Sequence, residues 1–195
     1  MIGEILDAGM IAHVGVATEE GPIVLPMAYG VRPNELLIHG SVANAMMRAG
    51  ASVDVCVTVT LVDGLVVART PFHNSMNYRS VVVRGKATKI TDPEEKTLAL
   101  KVINDHVVEM WDTARPPTAE EIRATMVLSV PLTEASAKVR GGDPIDDDED
   151  LDGPHWAGVV PLETTWSRAA PASDLAQGVE IPPAIDRLSG QAAQG

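Results

Sequence analysis

His73-Asn-Ser-Met-Asn-Tyr-Arg-Ser-Val-Val-Val-Arg-Gly-Lys-Ala87 joins two kinds of sequence. From Val81 on it reads as a β-branched strand that fits a half-buried pleated surface. Before that, Ser75, Asn77, Tyr78, Arg79 and Ser80 crowd the strand entrance, and a strand needs no such cluster for stability. Alternation places Arg79 on the face of Val81 and Val83, and leaves Tyr78 and Ser80 on the other. Arginine makes forked bonds to phosphate or carboxylate, and tyrosine borders planar rings well. Two readings stand: a ligand site, or an edge strand guarded by charge, which suits Arg84 and Lys86 better than the whole run.

The segments on either side are mostly strands. Val53-Asp-Val-Cys-Val-Thr-Val-Thr60 alternates cleanly, and Asp63-Gly64 is expected to turn it into a hairpin with Leu65–Arg69. Upstream, residues 11–17, 23–29 and 35–39 are strand candidates separated by Gly-Pro and Arg-Pro-Asn turn signals. A short helix is expected over 42–49, with Ser41 as its N-cap and Gly50 at its end. Asp92-Pro93-Glu94-Glu95 opens a longer helix to about Met110, and Thr118-Ala-Glu-Glu121 is a second capping box. Residues 126–132, 135–140 and 156–162 complete the strands. This order predicts a mainly β chain, a small antiparallel barrel with helices packed outside, not a doubly wound sheet. The domain is expected over 1–167. Residues 168–195, rich in Ala, Pro, Gly, Ser and Gln, are expected to be loose or draped over a neighbour.

Composition narrows the function. The 195 residues are 45% hydrophobic, so a real core is available, but only 3% are aromatic. A single cysteine excludes a disulfide scaffold and multi-cysteine metal sites. No apolar run reaches the ~20 residues that span a bilayer, and no signal-peptide order opens the chain. A cytoplasmic protein without membrane attachment is expected. The net charge of −12 disfavours nucleic acid as a partner. Seven acids and no base fall between Asp143 and Asp152, so the rest of the chain carries only −5 and tolerates an anionic small ligand. Asp148–Gly153 imitates the start of a calcium loop, but Pro154 follows and position twelve is Val159, so a solvated loop is expected.

His39-Gly40-Ser41 sits at a strand-to-helix junction. It reads either as a phosphate cradle using exposed amides and the helix dipole, or as plain helix capping. Cys56 reads as a small buried hydrophobe, and His13 and His106 as structural residues. No Walker loop, Gly-x-Ser-x-Gly elbow or dinucleotide fingerprint is present.

Leu37-Ile-His39-Gly40-Ser41, the 73–87 segment and Trp156-Ala-Gly-Val-Val-Pro-Leu162 together resemble the flavin-nucleotide-binding branch of the pyridoxamine 5′-phosphate oxidase-like split barrels, related to nitroimidazole reductases. The resemblance covers about residues 4–166 and is carried most specifically by Asn77-Tyr78-Arg79-Ser80. It implies a six-stranded antiparallel split β-barrel that forms a homodimer with FMN at the subunit interface. By resemblance, the cofactor-binding residues are His39, Gly40, Ser41, Arg48, Asn77, Tyr78, Arg79, Ser80, Val81 and Trp156, and His73 is a candidate near the ring. Many relatives carry a Gly-Lys-Lys run after His-Gly, whereas here Arg48 is the only base in Val42–Arg48. The pyridoxal-phosphate-contacting pattern of true pyridoxamine-phosphate oxidases is not evident, so vitamin B6 oxidation is not expected. The resemblance implies an FMN-dependent oxidoreductase acting on a small substrate. Its alternatives are a non-catalytic flavin carrier or redox sensor, or a barrel using a deazaflavin or haem.

Overall fold

Two antiparallel sheets enclose one main core in a computed structural model that describes residues 1–51 and 53–193. The first elements are α1 (Ile2–Ala8), β1 (Ala12–Thr18), β2 (Gly21–Met27), β3 (Tyr29–Arg32), β4 (Glu35–Ser41) and α2 (Ala45–Gly50). Then come β5 (Asp54–Val67), β6 (Ser75–Lys86), β7 (Thr88–Lys89), α3 (Pro93–Val107) and α4 (Ala119–Ala124). β8 (Thr125–Pro131), β9 (Glu134–Arg140), β10 (Gly158–Pro161) and the short α5 (Pro183–Asp186) follow. The larger sheet runs β2-β1-β5-β6-β9, with β10 added to the far half of β5. The smaller runs β3-β4-β8-β7. This is the mainly β, split arrangement expected, with more strands than the six anticipated and no closed barrel.

Alternation determines which side chains go inside. Val55, Val57, Val59 and Leu61 of β5, and Val81 and Val83 of β6, point into the core with Val14, Val16, Leu36 and Ile38. Cys56 therefore lies on the opposite, outer face and is exposed, contrary to the buried position expected for it. His13 stands exposed on the same outer face, opposite Thr58. His106 is structural, as expected: its Nε2 lies 2.8 Å from the Gly9 carbonyl and its ring 4.5 Å from that of Tyr29. The Tyr29 hydroxyl is fully buried and donates towards the Leu6 and Gly9 carbonyls, at 2.5 and 2.8 Å. Burial, and then the nearby Asp7 charge, raise its pKa well above the ordinary phenol value.

The Asp63-Gly64 turn does not form. β5 runs straight through it, and a register shift between Val62 and Gly64 leaves Asp63 as the extra residue of a bulge. The glycine is needed for a different reason: β10 crosses so near that a Cβ at Gly64 would lie 2.7 Å from the Val160 carbonyl oxygen. The β5–β6 hairpin accordingly extends to residue 67 and turns through a 3₁₀ segment, Pro71–His73, capped by Thr70.

Two helix boundaries also differ. α2 starts later, with Asn44 in place of Ser41 as its cap, because the Asn44 side chain accepts from both Met46 and Met47 amides. α3 ends at Val107, where Val108 takes an extended conformation and Asn104 bonds its carbonyl. The C-terminal stretch returns to the chain: Thr165 bridges Ala192, and main-chain bonds join Trp166 to Gln191 and Gly190. Main-chain hydrogen bonds hold this part of the tail together.

The α4 capping box forms as expected, with Thr118 and Glu121 bonding reciprocally. The Arg115 fork, and then the Thr118 amide and hydroxyl, hold the Glu121 carboxyl down at about 2. A depressed carboxylate pKa contributes stability above its ordinary value of 4.5 and loses it as pH falls towards 2. An NMR pH titration should show the α4 amides shifting in that acid window with Glu121, and Glu121→Gln should remove the transition.

Candidate functional site

The outer face of the large sheet carries the candidate residues. Along β6 it presents Val82, Ser80, Tyr78 and Met76 in turn, and along β5 Thr58, Thr60, Val62 and, past the bulge, Leu65. Thr60 Oγ1 and Ser80 Oγ share a hydrogen bond of 2.8 Å, and Lys138 Nζ from β9 lies 5.9 Å from the centre of the Tyr78 ring. This gives a ledge of hydroxyls beside an aromatic ring with a cation over it, polar groups suited to the edge of a planar ring. Beyond Tyr78 the face becomes apolar. Leu65, Met76 and Val160 line up across three strands, each about half exposed.

A groove of about 590 Å³ opens over that apolar end, lined chiefly by Leu65, Val67, Ser75, Met76 and Tyr78. Small-molecule and cofactor pockets run roughly 300–1,000 Å³. Phe72, the only phenylalanine in the chain, is 91% exposed at the hairpin turn, and Trp156 is 65% exposed just before β10. The Trp156 indole lies against Gly158, where an added Cβ would meet it at 3.0 Å. Two of the chain's six aromatic residues are thus largely open at this end of the molecule.

The expected residues divide between the two sides of β6. Tyr78 and Ser80 face the ledge. Val81 is in the core, and Asn77 is buried, donating to the Gly142 carbonyl and accepting from Arg140. Arg79 grips Asp63: its Nε lies 3.2 and 3.1 Å from the two carboxylate oxygens and its Nη2 2.8 Å from Oδ1. That hydrogen bonding, stronger than the opposing effect of burial, raises the Arg79 pKa. The pair borders a separate cavity of about 250 Å³ with Leu162, Glu163, Thr164 and Thr165. Arg79 thus anchors the β5 bulge. Asp63 was not among the candidates because its partner became identifiable only from the bulged register.

His39, Gly40 and Ser41 belong to the other sheet. Gly40 turns inward, where an added Cβ would meet the Met47 side chain at 2.8 Å. The His39 Nδ1 is buried without a protein partner, and burial lowers its pKa. Ser41 Oγ accepts from the Ala43 amide, and Arg48 folds back onto the Val42 and Ala43 carbonyls. The first amides of α2 are already taken by Asn44, so a phosphate cradle at that helix start has fewer open donors than the sequence suggested. The Arg48 guanidinium nevertheless places positive charge beside Ser41.

His73 ends the 3₁₀ turn at the apolar end of the large sheet, just before Asn74 and Ser75, which line the groove. Its ring meets Phe72 edge-on at 5.6 Å, and its Nε2 lies 3.4 Å from Asp147 Oδ2. Asp147 belongs to the acidic loop, which Asp146 pins down. The Asp146 side chain is only 1% exposed and accepts from the Arg69 amide and Nη1, each at 2.8 Å. Burial pushes the Asp146 pKa up, but the bonds from Arg69 outweigh it and the net shift is downward. One member of the acidic loop is therefore a buried anchor, which its composition did not reveal.

A protein-family model described as pyridoxamine 5′-phosphate oxidase matches residues 2–139. Among solved structures, the chain is similar to the flavocytochrome Anf3 from Azotobacter vinelandii. The identity is 37% and the TM-score 0.91, over 97% of this chain and 89% of that one. It is also similar to an FAD and haem binding protein from Mycobacterium smegmatis, at 33% identity and TM-score 0.92, over 98% and 95% of the two chains. A Bacteroides thetaiotaomicron protein named for 5-nitroimidazole antibiotic resistance matches 70% of this chain and 80% of its own, at 27% identity and TM-score 0.58. No curated protein matches the sequence. Among the described residues, no helix is long and apolar enough to cross a membrane.

Proposed function

Since the chain belongs to the pyridoxamine 5′-phosphate oxidase family, we propose that it is a flavin- and haem-binding oxidoreductase that works as a homodimer. The observation that carries this reading is the exposed outer face, with a polar ledge at one end and an apolar groove at the other. Such a face fits two cofactors of different polarity. Support for haem comes from coverage. The family model stops at residue 139, whereas the two relatives whose names speak of flavocytochrome, or of FAD and haem, match almost the entire chain.

The resemblance in the sequence implies FMN; the FAD named for the M. smegmatis relative makes FAD the flavin proposed here. Flavin supplies hydride and single-electron chemistry, and haem supplies one-electron and dioxygen chemistry. In this chain, Ser80, Thr60 and the β6 backbone would orient the ring edge, with Tyr78 beside it. The His39–Ser41 segment and Arg48 would face the phosphate end, and the second copy would cover the outer face. The substrate class is a small molecule that donates or accepts electrons.

The visible spectrum of the full-length protein as purified tests the reading: a flavin band and a Soret band are expected together, and a colourless protein that ignores added flavin and haemin overturns it. Mass measurement of the released flavin separates FAD from FMN. Thr58→Arg, on the exposed face, should convert the dimer to monomer by sedimentation and reduce flavin retention with it. A dimer that persists with full flavin would place the interface elsewhere.

A further inference from the structure

We infer that the haem, whose binding is the reading just given, would sit in the apolar groove at the far end of the β5–β6 hairpin, with His73 as the residue that would hold its iron. A haem macrocycle is a broad apolar plate and needs an apolar slot with one nitrogen donor at its rim. The groove supplies the slot: Leu65, Met76 and Tyr78 form its floor, and the exposed Phe72 and Trp156 stand at the same end of the sheet. His73, in the 3₁₀ turn that closes the hairpin and next to the lining residues Asn74 and Ser75, would supply the donor.

The other histidines are less suited. His106 is engaged by the Gly9 carbonyl, and His39 belongs to the other sheet with its Nδ1 buried. His13 stands on β1, opposite Thr58 in the polar stretch. His155 precedes Trp156 on an exposed coil and is the competing donor.

A carboxylate stands beside the His73 ring. A ligating imidazole usually coordinates through one nitrogen and gives its other N–H to a carboxylate, which fixes the ring and raises its basicity. Asp147, whose Oδ2 lies 3.4 Å from His73 Nε2, is the carboxylate within reach of that role, and the Asp146–Arg69 contact keeps its loop against the hairpin turn. Asn74, the next residue, accepts from the Ala68 amide at 2.8 Å and closes the turn beneath the histidine. Asp147 is thus a positioning residue acting through His73.

The test is titration of haem-depleted full-length protein with haemin, with the flavin band followed in the same samples. Wild type should take up one haem per chain. His73→Ala should lose more affinity than the roughly 10–100-fold that removal of a supporting carboxylate costs, while flavin binding stays intact. His73→Tyr guards against simple collapse of the turn: it should bind haem with the spectrum of phenolate ligation. Asp147→Asn should weaken haem binding by no more than that roughly 10–100-fold and raise the midpoint potential of the haem it retains. Wild-type haem affinity and spectrum in His73→Ala, or loss of haem in His155→Ala alone, overturns the assignment and leaves the functional reading standing. A wild type that binds flavin and no haem overturns the haem part of the reading together with this site.

Discussion

Replacing Gly30 by valine should leave the protein substantially unfolded at temperatures where the wild type is intact. Gly30 sits in β3 opposite Leu37, and α3 presses directly on it. A Cβ there would lie 2.8 Å from the Ile103 nitrogen, 2.9 Å from its Cα and 3.0 Å from the Val102 carbonyl carbon. These are backbone atoms of a helix and cannot rotate aside, so the helix must lift or the strand must bend. Either movement opens the Leu37, Ala99, Ile103 and Val127 cluster, and bending β3 also disturbs the buried Tyr29 hydroxyl. Overpacking costs about 1–3 kcal/mol and sometimes more, and a backbone collision with two extra methyl groups belongs at or beyond the upper end. Against a total of about 5–15 kcal/mol, that is a large share. Thermal and denaturant unfolding should place Gly30→Ala between wild type and Gly30→Val. Gly3→Ala, with nothing within 4 Å of the added atom, should melt no lower than wild type. A Gly30→Val protein melting with the wild type would mean that α3 does not rest on β3.

The parts of the fold that were legible depend on chemistry between near neighbours. Val53–Thr60 declares its strand by alternation, and Asp92-Pro93 and Thr118–Glu121 declare helix starts because cap and amide lie within one turn. Asp63-Gly64 misled because the same pair suits a tight turn or a bulge. What decided between them was β10, a strand distant in sequence that needs a residue without a side chain at its crossing point. The Ser41 cap failed for a similar reason: Asn44 offers a carbonyl to two amides at once, and both residues look like caps when read alone. At the site, period-two alternation was enough to put Tyr78 and Ser80 together and to turn Arg79 away. It gave no access to Asp63 as the partner of Arg79, nor to Asp146 as the buried anchor of an acidic loop, because each contact joins segments that only tertiary structure brings together. The exposed Phe72 was equally hidden, since a lone phenylalanine in a sequence reads as core.

Gly64→Val should separate the fold from the apolar groove. The added Cβ would lie 2.7 Å from the Val160 oxygen and 3.1 Å from the Pro161 Cα, so β10 has to leave its place against β5. With it would go the pairing of residues 158–161 with Gly64–Val67 and the bond from the Leu162 amide to the Asp63 carbonyl. β10 lies at the margin of the large sheet, off the path that builds the core, so the loss of stability should be about 1–3 kcal/mol and smaller than that from Gly30→Val. The loss at the groove should be much greater in proportion. Val160 is the cross-strand neighbour of Leu65, and Trp156 leads into β10, so the apolar end would lose Val160 beside Leu65 and the exposed Trp156 would shift with it. Amides of residues 158–161 should exchange with solvent at rates near those of an open chain while the β5–β6 ladder stays protected. On the proposed placement of the two cofactors, haem uptake should fall more steeply than flavin uptake, because the Thr60–Ser80 ledge lies on the near side of the bulge. Unchanged protection of β10 in a folded Gly64→Val protein would show that the close approach is absorbed without cost. Equal loss of the two cofactors would mean that the ledge and the groove act as one site.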